Sequence, residues 1–182
     1  MQLNLVSSRG AEVLFVRNKS KETAQIRSEN AHDHQACVAD AVAAAESRMT
    51  EAAAKLTPLR RQMLELICAS HVPVGAYDLL DRLERAREGR AAPPTVYRAL
   101  DFLMEHGLIH RINSLNAYVA CFGPHRPHDA CLLICETCRA VEEIEAEAVR
   151  RAIERQAASA GFGVRGQTIE VTGLCRACRA QG

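Results

Sequence analysis

Apolar residues recur at helical spacing through the middle of the chain and alternate after Gly107, and this change of period divides it. Leu59, Met63, Leu66 and Ile67 fall on one face of a helix. Leu56-Thr57-Pro58 opens that helix: Thr57 suits the N-cap, and Pro58 sits at the first position, where no N–H donor is needed. Pro73 and Gly75 break the chain. A second helix is predicted over 76–87, with Leu79, Leu80 and Leu83 inward and Gly89 ending it. A third starts at Pro93-Pro94-Thr95, carries Val96, Leu100 and Leu103, and stops at Gly107. An Ala-rich run over 37–49, with Val38, Ala41, Val42 and Ala45, predicts one more helix ahead of these.

Residues 108–112 and 117–121 alternate around Asn113-Ser114-Leu115-Asn116, which predicts a β-hairpin. Three helices followed by a hairpin are the elements of a winged helix-turn-helix domain. The third helix, at about 1.5 Å per residue, is near 20 Å long and fits a DNA major groove. The remainder reads strand (131–134), Cys-x-x-Cys, strand (140–144), helix (146–160), strand (166–172), Cys-x-x-Cys. A unit of about 60 residues has a marginal core and needs a metal staple or a partner chain. The expected class is α+β: a disordered extension over 1–31, a winged-helix domain over 32–121 and a small α/β domain over 122–182.

The strongest chemical signal is the pair of knuckles, Cys135/Cys138 and Cys175/Cys178. Each presents two thiolates on one side of a tight turn, and two such turns make a tetrahedral four-sulfur cage suited to Zn²⁺. Disulfides are disfavoured because the N-terminal apolar stretch is short, broken by Arg9 and Glu12, and no signal peptide. A thioredoxin-like site would need one pair only. Tetrathiolate iron remains chemically open.

A second, scattered cluster comprises His110, Cys121, His125, His128, Asp129 and Glu143. A thiolate, imidazoles and a carboxylate form a borderline-soft set that favours zinc over ferrous or manganous ions. Surface histidines beside an inert Cys121 fit the spacing equally well. Cys37, Cys68 and Cys131 lie in helical or apolar runs and read as core.

Composition changes the picture little. The 182 residues allow one large or two small domains, 48% are hydrophobic, and no apolar run approaches a membrane span. A net charge of +1 gives no global basic field, so any nucleic-acid contact rests on locally placed arginines. Eight Cys and seven His point to metal in a reducing compartment, the cytoplasm.

Leu56-Thr57-Pro58-Leu59-Arg60, Ala76-Tyr77-Asp78-Leu79-Leu80, the run from Pro93 through Thr95-Val96-Tyr97-Arg98-Ala99-Leu100-Asp101-Phe102-Leu103 and the two knuckles together resemble the ferric uptake regulator family. The likeness spans about 32–182 and is greatest to the family's zinc uptake branch. It implies a homodimeric, metal-dependent repressor of zinc uptake genes, binding a palindromic double-stranded DNA operator, with no membrane or small-molecule substrate and two Zn²⁺ per subunit. It assigns a structural zinc to Cys135, Cys138, Cys175 and Cys178, and a regulatory zinc to His110, Cys121, His128 and Glu143. The 121–128 loop is one residue shorter than the branch pattern, which leaves His125 and Asp129 as alternative ligands. The sparse His125-Arg126-Pro127-His128 stretch differs from the His-rich stretch of iron-sensing members. His32-Asp33-His34 reads as a solvated cluster rather than a ligand set.

Thr95, Tyr97 and Arg98 at the start of the third helix are the expected DNA contacts, Arg98 through guanine O6/N7. Arg60 and Arg111 are candidates for phosphates. Rival readings are an iron or peroxide sensor of the same family, and a zinc enzyme with Glu143 as base. The enzyme reading lacks a second carboxylate, a phosphate loop or a nucleophile elbow.

Overall fold

The computed structural model describes residues 34–70, 72–86, 92–121 and 130–181. The expected extension over 1–31, His32, Asp33, Gly89 and the ligand candidates His125, His128 and Asp129 lie outside the described residues.

Four helices and one three-stranded sheet make the first half. Helix α1 spans His34–Glu51, α2 Pro58–Cys68, α3 Ala76–Ala86 and α4 Pro93–Glu105. Strand β1 is Val74–Gly75, β2 Ile109–Ile112 and β3 Ala117–Ala120, in the sheet order β1-β3-β2, all antiparallel. This is the winged helix-turn-helix order. Thr57 caps α2 through its side chain, which accepts from the Arg60 amide at 3.4 Å. Helix α4 opens on Pro93-Pro94 and ends at Glu105, capped by His106 and followed by Gly107, whose φ of +61° lets the chain reverse. There the Leu108 amide donates to the Leu103 carbonyl at 2.8 Å and the Gly107 amide to the Met104 carbonyl at 2.9 Å.

Met63, Leu64, Ile67, Leu79, Leu83, Val96, Leu100 and Leu103 interlock under the wing with Leu108, Ile109 and Tyr118. Helix α1 joins this core through Val42, Ala45 and Met49, and Arg48 Nη2 donates to the His106 carbonyl at 2.8 Å. Helix α1 begins three residues before the predicted start, because Gln35 and Ala36 extend the helix without marking an apolar face. Strand β1, inside the stretch read as a break, pairs Val74 with Tyr118.

The second half is a sheet of β4 (Ala130–Cys135), β5 (Val141–Ile144) and β6 (Thr168–Gly173) in the order β5-β4-β6. Strand β5 runs antiparallel to β4 and β6 parallel to it, with α5 (Glu147–Ser159) as the crossover. One helical turn, α6 (Arg176–Arg179), follows Cys175 inside the second knuckle. Central β4 is covered on both faces, with Cys131, Leu132, Ile134 and Cys135 all buried. No residue of α5 is buried. Cys131 is core as expected, Cys68 packs against the first-half core, and the Cys37 side chain lies outside the described residues.

Candidate metal centres and DNA-facing helix

Strand β4 ends at Cys135 and β6 delivers Cys175, which places the two knuckles side by side. Turning the first one requires Arg139 at φ +60°, with the Arg139 amide donating to the Cys135 carbonyl at 3.0 Å. Each of the four sulfurs lies within 4.8 Å of the others. Cys138 Sγ and Cys175 Sγ are 3.7 Å apart. A tetrahedron with Zn–S bonds of about 2.3 Å has edges of about 3.8 Å, so the cage has zinc's dimensions.

Its electrostatics call for a cation. The Cys135 thiol is lowered to about 6, first by the Cys175 amide and then by the Cys138 amide. Cys138 is raised: the Ala140 amide lowers it, but hydrogen bonding with the Cys135 sulfur and burial outweigh that. Cys178 is pushed up to about 12, chiefly by sharing a proton with Cys175. Four thiolates at this spacing cannot coexist without a positive ion, and a bound dication would ionise them all.

The second cluster forms where the two halves meet. His110 on β2, Cys121 just after β3 and Glu143 on β5 offer one nitrogen, one sulfur and one oxygen, mutually within 4.8 Å. His110 Nε2 is 3.1 Å from Glu143 Oε1, with both side chains largely buried. Zinc with ligand distances near 2.0 Å would hold such a pair about 3.3 Å apart. Of the six residues in the sequence-level cluster these three converge; His125, His128 and Asp129 lie outside the described residues.

Helix α4 presents Tyr97 and Arg98 outward near its start, with Thr95 half-buried beside them. Arg98 Nε donates to the Pro94 carbonyl at 3.2 Å, which holds the guanidinium against the helix N-terminus. Tyr77, 73% exposed at the start of α3, is a further exposed aromatic of this half, one that the sequence pattern gave no role. An exposed aromatic in the first turn of a helix-turn-helix was the available signal. Arg60 is placed differently from a free surface charge. Its guanidinium stacks 3.4 Å over the Phe102 ring and donates to the Lys55 carbonyl at 2.9 Å. Arg111 Nη2 donates to Asn116 Oδ1 at 3.0 Å across the wing.

Among the described residues no helix is long and apolar enough to cross a membrane. The model of the ferric uptake regulator family matches residues 51–172. The zinc uptake regulation protein of Escherichia coli (strain K12) is 44% identical over 138 residues, covering 75% of this chain and 80% of that protein. The Shigella flexneri protein of the same name matches to the same extent. A solved zinc uptake regulator complexed with zinc and DNA aligns with a TM-score of 0.74 and 42% identity, over 79% of this chain and 96% of that one. The holo form of XcZur aligns at 0.71 and 44%, over 76% and 96%. With the family model matching two thirds of its length and a relative 44% identical over 138 residues, the chain belongs to the ferric uptake regulator family.

Proposed function

We propose that this chain is a zinc-responsive DNA-binding transcriptional repressor of zinc uptake genes, working in the cytoplasm as a homodimer with two zinc ions per subunit. One observation carries the reading: His110, Cys121 and Glu143 converge from the wing and the C-terminal sheet onto one point at the joint. Zinc bound there would supply a charge-neutralising tie between the halves. The residues do the rest. Imidazole, thiolate and carboxylate select zinc over iron or manganese, which disfavours an iron sensor. A fourth ligand comes from His128, or from His125 or Asp129. Cys135, Cys138, Cys175 and Cys178 hold the structural ion.

With the joint fixed, the winged domain (32–121) stands at a set angle to the dimerisation domain (122–182). A two-fold dimer then spaces its α4 helices for half-sites about one helical turn, or a multiple, apart. Thr95, Tyr97 and Arg98 enter the groove, with Tyr77 beside them and Arg60 and Arg111 adding charge near phosphates. DNA must tighten zinc to the same degree that zinc tightens DNA.

The second copy is called for by exposed apolar surface. Val149 and Ile153 of α5 are 47% and 39% exposed, and Val171 and Leu174 on and beside β6 are 46% and 52% exposed. These belong to one half, whose α5 has no fully buried residue. A partner covering them explains how so thin a unit stays folded. The family is one of regulators rather than enzymes, so Glu143 is read as a ligand and not as a base.

Gel retardation of a selected operator duplex, with zinc against a chelator, tests the reading: retardation must require zinc. Cys121→Ser should abolish the response while leaving a folded dimer that retains one tightly held zinc by mass spectrometry. Unaltered zinc-dependent retardation would reject the joint cluster as the sensor.

A further inference from the structure

Glu143, Leu132 and Glu170 form one row across the C-terminal sheet, since Leu132 pairs with Glu143 on one side and with Glu170 on the other. Residues directly paired in a sheet point to the same face, and this face carries the wing. At the centre Leu132, fully buried, packs with Ile134 of its own strand and with Ile112 and Val119 of the hairpin. At one end of the row Glu143 meets His110, near the base of the hairpin. At the other end Glu170 meets its tip: the Asn113 amide donates to Oε1 at 2.6 Å and the Ser114 amide to Oε2 at 3.0 Å.

The two ends differ in what they need. Glu143 belongs to the metal cluster. Glu170 takes two successive backbone amides with its own two oxygens, a charge-assisted contact that requires no ion. An apolar cluster fixes spacing but not orientation. A hairpin held only at its base can still swing, whereas one held at base and tip has a single orientation. Burial works against an ionised Glu170, yet the Ser114 side chain and the two amides outweigh it and hold the carboxyl below its usual range.

We propose that Glu170 is a positioning residue: a metal-independent latch that seats the wing on the C-terminal sheet in the arrangement that binds DNA, and so sets the zinc level at which the chain switches. The inference rests on the repressor reading above. The latch favours the closed arrangement, and the joint cluster is complete only in that arrangement. Without the latch, the apparent zinc affinity falls by the fraction of closed form that is lost.

The test uses the full-length dimer and a duplex selected by the wild-type, zinc-loaded protein, with free zinc buffered and binding read by fluorescence anisotropy. Glu170→Gln should raise the zinc midpoint about fivefold or more. Duplex affinity at saturating zinc should stay within about twofold of wild type, because excess zinc restores the closed form. Amide exchange at Asn113 and Ser114 gives a second readout that needs no DNA. Both amides should be protected in wild type holding only its tetrathiolate zinc, and exposed in Glu170→Gln. Wild-type duplex binding that ignores zinc would sink the repressor reading itself. A wild type that responds, with a Glu170→Gln midpoint coinciding with it, sinks the latch alone. So do unprotected wild-type amides, or a loss of duplex binding that saturating zinc does not restore.

Discussion

The two halves of the chain reach stability by different means. The first packs one contiguous cluster of seventeen buried residues, from Val42 of α1 to Ala120 of the wing. The second has four buried residues among those described, all on β4, and two of them, Leu132 and Ile134, pack against the wing. A helical unit with such a core can stand on apolar burial alone. A sheet with one covered strand and a helix that has no buried residue needs outside support: a metal, a neighbouring domain or a partner chain. Metal dependence is therefore written into the half that lacks a core of its own.

The strongest way to break this contrast is to remove the cage. Structural zinc of this kind is worth roughly 10 kcal/mol of folding free energy. Cys135→Ser should strip it, leaving the second half open to limited proteolysis while far-UV circular dichroism retains the helices of the first. Loss of both halves together would show that they do not stand apart. Next is Leu100→Ala, at a fully buried site in the first half. It should cost about 2–5 kcal/mol, seen as a lower thermal midpoint, with the zinc content unchanged.

The pH dependence of zinc uptake sharpens the comparison from the other side. In the zinc-free cage Cys178, at about 12, and Cys138, also raised, keep their protons at pH 7, whereas Cys135, at about 6, has largely lost its own. Zinc must displace at least the first two protons. Its affinity should therefore rise at least about 100-fold per pH unit around neutrality and more steeply below about 6, where Cys135 also holds a proton. Competition with a chelating dye across pH measures the slope; a flat profile would contradict the proton assignment. The smallest expected effect is Thr57→Ala, which removes the cap of α2 and should cost about 1 kcal/mol, read in denaturant midpoints with zinc content unmoved.

Sequence pattern was most informative where a single element carried its own signals. Thr57-Pro58 and Gly107 mark helix ends by local backbone chemistry; the structure starts α2 at Pro58 and ends α4 at Glu105, just before Gly107. The two-residue strand at Val74–Gly75 was hidden, since so short a pairing leaves no period and a neighbouring proline reads as a break. Helix α6 is one turn inside a Cys-x-x-Cys, too short for periodicity. The four-sulfur cage was legible because each half of it is local. The joint cluster spans 110 to 143, and spacing alone left it balanced against surface histidines until the family resemblance weighed in. Glu170 had no signal at all: its partners are 57 and 56 residues away and contribute only backbone amides, which every residue possesses.

The hydrogen bond from Arg48 to the His106 carbonyl has a practical consequence for anyone trimming this protein. Helix α1 could be mistaken for a dispensable leader to the DNA-reading unit. Yet Val42 and Met49 lie inside the common core, contributing about 2 kcal/mol each, and Arg48 satisfies the end of α4, the helix proposed above to enter the groove. A shortened version beginning at Leu56 would leave α4 on an unfinished support, and should bind DNA more weakly although every DNA contact proposed above is retained.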